Sequence, residues 1–135
     1  MIYLLDTNAV TDAMNEHPAL QARVAVATAP ARVVVCSIVR GEILYGIERL
    51  PAGRRRQELE RKAAIVLTSV VCEAVPAAAA DEYARVKVAQ QRTGLAVDEN
   101  DLWIAATVLT LGAVLVTRDC DFTRIPGLTV EDWTV

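Results

Sequence analysis

Short, unbroken apolar runs alternate along this chain with longer stretches of mixed polarity. The runs are IYLLD at the start, RVVVC at 32–36, VCEAV at 71–75, AVLVT at 113–117 and a weaker LTV at 128–130. Each is too short for a stable helix and reads as a strand buried on both faces. The stretches between them read as helices. NAVTDAMN is a short one started by Asn8. Pro18, after the His17 turn, suits the first position of a second helix over PALQARVAVAT, residues 18–28. Ser37 is the expected cap of a third, IVRGEILYGIERL, with Ile43, Leu44, Ile47 and Leu50 at helical spacing and a stop at Pro51 and Gly53. RRRQELERKAAIVLTSV is a long helix, polar first and apolar later. Pro76 opens AAAADEYARVKVAQQRT, which Gly94 stops. Asp98 caps ENDLWIAATVLTL, which Gly112 stops.

Strands alternating with helices predict an α/β fold with a mainly parallel sheet covered on both faces. A length of 135 residues fits one domain, 1–135. In such sheets ligands gather at the carboxyl ends of the strands. Asp6 ends the first strand, and Asp119 follows the fourth by two residues. Glu42 lies one to two turns into the helix after the second strand. Asp101 lies in the first turn of the helix leading to the fourth. Each acid has an ordinary reading. Asp6 or Asn8 can cap a helix, Asp101 can be the capping-box partner of Asp98, and Glu42 can sit on an amphipathic edge. Their surroundings argue for more. Asp101 shares a helical face with Ile104 and Ala105, and Glu42 lies beside Ile38, Val39 and Gly46. Carboxylates about 5 Å apart at an effective dielectric near 20 repel by roughly 3 kcal/mol per pair. A convergence of four therefore calls for a positive partner. Hard divalent ions fit, since Mg²⁺ takes one or two carboxylates together with waters and phosphate oxygens. Zinc is not expected: the one histidine, His17, sits in a turn and reads as a surface residue, and no cysteines cluster.

Composition narrows the setting. The chain is 53% hydrophobic but only 4% aromatic, so its core is aliphatic. Cys36, Cys72 and Cys120 are odd in number and far apart, and read as buried thiols in a reducing compartment. No basic segment with a cleavage site opens the chain, and WIAATVLTLGAVLV is too short to span a bilayer. A cytoplasmic protein with no membrane contact is expected. The net charge of −3 argues mildly against a nucleic-acid binder. The objection weakens if the four acids share one pocket: seventeen acids less four leaves thirteen, against fourteen Lys and Arg, so the remainder carries +1.

The segments LLDTN, RGEILYG, NDLWIAATVLTLGAVLVTRDCDF and IPGLTVEDW occur in an order, over nearly the whole chain, that resembles PIN-domain ribonucleases. More narrowly, it resembles the toxins of VapBC toxin–antitoxin pairs. The resemblance implies a PIN-like three-layer α/β/α domain with a central sheet of about five strands. It implies an endoribonuclease dependent on Mg²⁺ or Mn²⁺ that cleaves transfer or ribosomal RNA and stops translation. It also implies a homodimer and a cognate VapB-type antitoxin. The acidic quartet maps onto Asp6, Glu42, Asp101 and Asp119, with Asp6, Asp101 and Asp119 as metal ligands. Asn8 and Thr117 match supporting positions. The compact TRDCDF segment leaves Asp121 as a second candidate for the fourth acid, with Asp119 nearer the strand end.

On this reading Asp6 ends its strand in order to reach a metal, and Thr7 and Asn8 both turn the chain and orient the carboxylate. Arg54, Arg55, Arg56, Arg61 and Lys62 are candidate phosphate contacts, although Glu58 and Glu60 interleave as on a solvated face. Arg40 and Arg118 lie nearer the acids. Tyr45 and Trp103 are candidates for base stacking, with core packing the ordinary alternative. An antitoxin segment is expected in a groove between the first helices and the RRRQELERK helix, sending an Arg or Lys to the acids. Two rival classes remain. DTNAV loosely echoes the nucleophile motif of haloacid-dehalogenase-like phosphatases, and a receiver-like module would also use Asp6, but Asn8 stands at the second acid's place and the only lysines, Lys62 and Lys87, fall mid-helix. The other rival is a catalytically silent PIN-like binding module.

Overall fold

The computed structural model describes residues 1–27 and 30–135. The chain runs β1 (Ile2–Leu5), α1 (Thr7–Met14), α2 (Pro18–Val26), β2 (Arg32–Cys36), α3 (Ser37–Glu48), α4 (Arg54–Ser69), β3 (Val71–Glu73), α5 (Ala79–Arg92), α6 (Glu99–Leu111), β4 (Val114–Val116) and β5 (Val130–Glu131). The five strands form one parallel sheet in the order β3-β2-β1-β4-β5. This is the three-layer α/β/α architecture expected. The apolar runs form the strands because a parallel sheet between two helical layers gives neither strand face to water. Leu4, Leu5, Val34, Val35, Leu115 and Val116 are all buried accordingly. Along the flanks α5 packs along α6, while α1, α3 and α4 pack on one another.

Chain order places the site. From β1 the chain first builds outward through β2 to β3, then crosses back to add β4 on the other side of β1. The carboxyl ends of β1 and β4 therefore flank the point where the sheet changes direction of growth, the usual crevice of such folds. Asp6 follows β1 there, its backbone N–H donating to the Val116 carbonyl at 2.9 Å, and Thr117 follows β4.

The boundaries differ from expectation in instructive ways. α1 begins at Thr7, not Asn8, with Asp6 at the cap position. Ser37 is the first residue of α3 rather than its cap, and its hydroxyl reaches toward the Glu73 carbonyl. α5 starts at Ala79, after a turn that follows Pro76. The second helix is observed to Val26, and Thr28, the last residue expected in it, lies outside the described residues. Residues 120–124 form a 3-10 turn that no apolar periodicity announced. Of the cysteines only Cys36 is buried. Cys72, on the short edge strand β3, and Cys120, opening the 3-10 turn, are exposed, which corrects the reading of all three as buried thiols. No helix among the described residues is long and apolar enough to cross a membrane.

Asp98 and Gly112 bound α6 as expected. The Asp98 carboxylate accepts the Asn100 N–H at 3.1 Å, and Gly112 stops the helix at φ +62. A methyl group there would meet nothing within 4 Å, so the cost of Gly112→Ala is conformational alone. It should lower unfolding free energy by about 1 kcal/mol, read by chemical denaturation. A neutral result would show that the left-handed turn is not enforced.

Candidate functional site

Asp6 is the centre of the site. It occupies the cap position of α1, yet its carboxylate makes no cap bond. The side chain turns aside to accept the Thr117 hydroxyl at 2.8 Å and the Asn8 amide at 3.3 Å, and the residue is only 5% exposed. The simple helix-cap reading of Asp6 and Asn8 therefore fails. Thr117 is itself buried and fully used: it donates to Asp6 and accepts from Asn8 Nδ2 at 2.8 Å and from the Asp119 N–H at 3.1 Å. Asn8 also accepts the Arg118 N–H at 3.2 Å. These bonds knit the end of β1, the first turn of α1 and the exit of β4.

The other acids come from three further elements. Glu42, half-buried on α3, accepts the Thr7 hydroxyl at 2.8 Å. Asp119 caps the 3-10 turn by accepting the Asp121 N–H at 3.0 Å. Asp101, half-buried in the first turn of α6, makes no hydrogen bond to Asp98, whose cap bond goes to Asn100; the capping-box reading of Asp101 fails. Electrostatics ties the four together. Burial first, then the charges of Asp6, Asp98, Glu42 and Asp119, push the Asp101 carboxyl up to about 7. Burial also raises Asp6; hydrogen bonds from Thr117 and the Thr7 backbone oppose it, and the charges of Glu42 and Asp119 add to the rise. Asp119 acts on both of these groups, and Asp121 is exposed.

No Lys or Arg forms an ion pair with Asp6, Glu42, Asp101 or Asp119 among the described residues. Nor do any three His, Cys, Asp or Glu side chains among them close into a direct metal cage. Such a pocket suits a hard ion that keeps several of its waters, with the carboxylates reaching it directly or through those waters. The donor set, oxygen only and rich in negative charge, fits Mg²⁺ or Mn²⁺ and not a soft metal.

The basic and aromatic candidates separate. Arg118 is held by Asp12, with Nε 3.0 Å from Oδ2. Arg56 bonds Glu48, Glu60 and the Leu50 carbonyl, and Arg61 bonds Glu58, so these two serve the α3–α4 connection and a solvated helix face. Arg54 and Arg55 are exposed at the start of α4, and among the described residues no hydrogen bond or ion pair ties them to the acids. Arg40 is exposed and lines a groove of about 440 Å³ between α3 and α4. Trp103 stacks on Tyr83 at 4.1 Å and Lys87 covers Tyr83, so neither ring is a free platform. Tyr45 is 71% exposed, which overturns core packing for it. His17 is half-buried, with Nδ1 lacking a partner among the described residues. A larger groove of about 520 Å³ lies between α1, α2 and α4, with Leu5, Met14, Leu20 and Ile65 among its apolar lining and Lys62 and Glu16 at its side. Sequence reasoning missed Asp12, although it lies one turn after Asn8 on the same face of α1.

The Asp101 carboxyl stands near 7 in the fold and near 3.8 when unfolded, so between those values the folded chain holds a proton the unfolded chain has lost. Without divalent ions its contribution should therefore destabilise the protein progressively as pH rises from about 4 to about 7, fully above that. Asp101→Asn should raise the melting temperature of EDTA-treated protein more at pH 8 than at pH 5. An equal gain at both would show that the acids do not repel one another in solution.

Comparisons with known proteins bear on the family and the fold. The PIN domain profile matches residues 3–128. The chain is 30% identical to Ribonuclease VapC2 of Rickettsia felis over 98% of both chains, and 33% identical to Ribonuclease VapC1 of Haemophilus influenzae over 99% of both. Among solved structures it resembles VapBC2 from Rickettsia felis bound to a promoter DNA fragment, with a TM-score of 0.90 at 29% identity, covering 98% of this chain and 99% of that one. VapBC-1 from nontypeable Haemophilus influenzae follows with a TM-score of 0.88 at 28% identity over the whole of both chains.

Proposed function

This chain belongs to the PIN-domain family, and from that premise we propose that it is a VapC-type ribonuclease, the toxin of a toxin–antitoxin pair, which cleaves RNA at the Asp6 pocket with the help of a divalent ion. The observation that carries the reading is a buried carboxylate held by neutral partners, Thr117 and Asn8, with Glu42, Asp101 and Asp119 within electrostatic reach and no ion pair to any of the four among the described residues. The phosphate-transfer readings are not favoured: Lys87 is tied to Glu99 and Tyr83, and Lys62 sits beside the α1–α4 groove.

Asp6, Asp101 and Asp119 would hold the ion, Mg²⁺ or Mn²⁺. When bound, such an ion lowers the pKa of a coordinated water and offsets charge on the phosphate oxygens. The chain's own part is orientation and proton handling. Thr117 and Asn8 fix the Asp6 carboxylate, and Thr7 fixes Glu42. Of the acids, Asp101 or Asp119 would position the attacking water or take its proton. Cleavage through the 2′-hydroxyl by paired imidazoles needs a second histidine, which the sequence lacks. Products should carry 5′-phosphate and 3′-hydroxyl ends. Arg40, Arg54 and Arg55 are the exposed cations for the RNA backbone.

The partner is a VapB-type antitoxin. The α1–α2–α4 groove has the apolar lining to take one of its segments, and Leu5 within it directly precedes Asp6. A guanidinium or ammonium from that segment can then reach the unneutralised acids and displace the ion. A homodimer is the accompanying proposal, tested by light scattering at micromolar concentration.

Brief expression without antitoxin, followed by sequencing of cleaved RNA ends, tests the activity directly. Asp6→Asn should reduce cleavage by at least about a hundredfold while the protein still folds, and excess EDTA should abolish it. Full activity in EDTA would sink the metal mechanism. Metal binding without any cleavage would instead favour a silent binding module.

A further inference from the structure

We infer that Arg118 is a positioning residue, and that its pair with Asp12 pins the exit of β4 onto α1 so that Thr117 and Asp119 stay in place for metal binding and cleavage. The inference rests on the ribonuclease reading above. Arg118 lies between those two residues and grips α1 at two points one turn apart. Its backbone N–H donates to Asn8 Oδ1 at 3.2 Å, and its side-chain Nε donates to Asp12 Oδ2 at 3.0 Å.

The remaining ties of Asp119 are local. Its N–H goes to Thr117, and its carboxylate accepts from Asp121, both on the same turn of chain. Arg118 therefore supplies the side-chain ion pair that connects this turn to α1. The pair is asymmetric: the Asp12 side chain is 14% exposed and that of Arg118 52%. If Arg118 swung out to an RNA phosphate, it would leave a mostly buried carboxylate unpaired next to a pocket already short of positive charge. Stripping the partner from a largely covered carboxylate costs more than breaking a fully exposed pair, so the geometry favours the pin over a phosphate contact.

The test is steady-state cleavage of a deproteinised transfer-RNA pool by the full chain over a range of Mg²⁺ concentrations. Asp12→Asn and Arg118→Gln should each lower kcat by about fivefold, near the upper end for partly exposed ion pairs. Each should raise the Mg²⁺ concentration for half-maximal rate and leave the apparent KM within about twofold. The double variant should be no worse than Arg118→Gln alone, since the two residues form one interaction. Arg118→Lys, which keeps the charge, should recover most of the loss. Arg85→Gln, in the remote pair with Glu82, is the control and should match wild type. If Asp12→Asn fails to fold, the two Arg118 variants carry the comparison. The inference is overturned if Arg118→Gln raises KM and lowers the salt dependence of binding by about one phosphate contact while Asp12→Asn behaves as wild type. Losses that multiply in the double variant overturn it too. An inactive wild type would sink the ribonuclease reading instead, and calorimetric Mg²⁺ titration of wild type and Asp12→Asn would still read the pin: equal affinities would refute it.

Discussion

The buried carboxylate of Asp6 is the constraint on which the rest of the site depends. Removing a charge from water costs several kcal/mol unless an opposite charge or strong hydrogen bonds replace the lost solvent. Here the replacements are a hydroxyl and an amide, both neutral. The fold thus desolvates the group without cancelling its charge, and adds Glu42, Asp101 and Asp119 within electrostatic reach. A structural ion pair would have satisfied Asp6 and silenced it. Acids left without an ion pair instead form a pocket of concentrated negative charge, which is the premise of the proposed function.

Such a site survives only if its polar groups are fixed. Thr117 shows how closely they are matched. Its single proton goes to Asp6, and its acceptor capacity is filled by Asn8 and the Asp119 N–H. Asn8 likewise divides its amide between Asp6 and Thr117 and gives its oxygen to the Arg118 backbone. Replacing either with an apolar residue would strand several buried groups at once, a larger loss than one hydrogen bond. Orientation of the carboxylate is therefore built into the same contacts that join β1 to β4.

Grooves and charge lie apart from this network. The α1–α2–α4 groove is apolar at its floor, while the acids sit where the strands end. Under the proposed function, this separation would let a partner gain affinity from apolar burial and specificity from one basic side chain, with little demand on the residues that hold the acids. Across the sheet, the Tyr83–Trp103 stack and the bonds among Lys87, Tyr83 and Glu99 fasten α5 to α6, the helix that delivers Asp101.

Much was legible before any fold was built. Unbroken apolar runs could only be strands in a sheet covered on both sides, and the helices between them made that sheet parallel. Asp98 and Gly112 marked the ends of α6 because a cap and a left-handed turn are local requirements that few other residues meet. Asp6, Glu42 and Asp119 were expected at the carboxyl edge of the sheet from their places after strands, and in the fold the charges of all three raise the Asp101 carboxyl. Other features belong to the tertiary structure. Which cations are free and which are spent depends on neighbours far away in sequence: Asp12 meets Arg118 across 106 positions. That Asp6 declines its cap role, that Cys72 and Cys120 are exposed and that Tyr45 faces solvent follow from how elements pack, not from their own periodicity. Periodicity and capping are short-range properties, set by backbone sterics and hydrogen bonding within a turn or two. Pairing and burial are long-range, decided only when separate elements bring their side chains to one place.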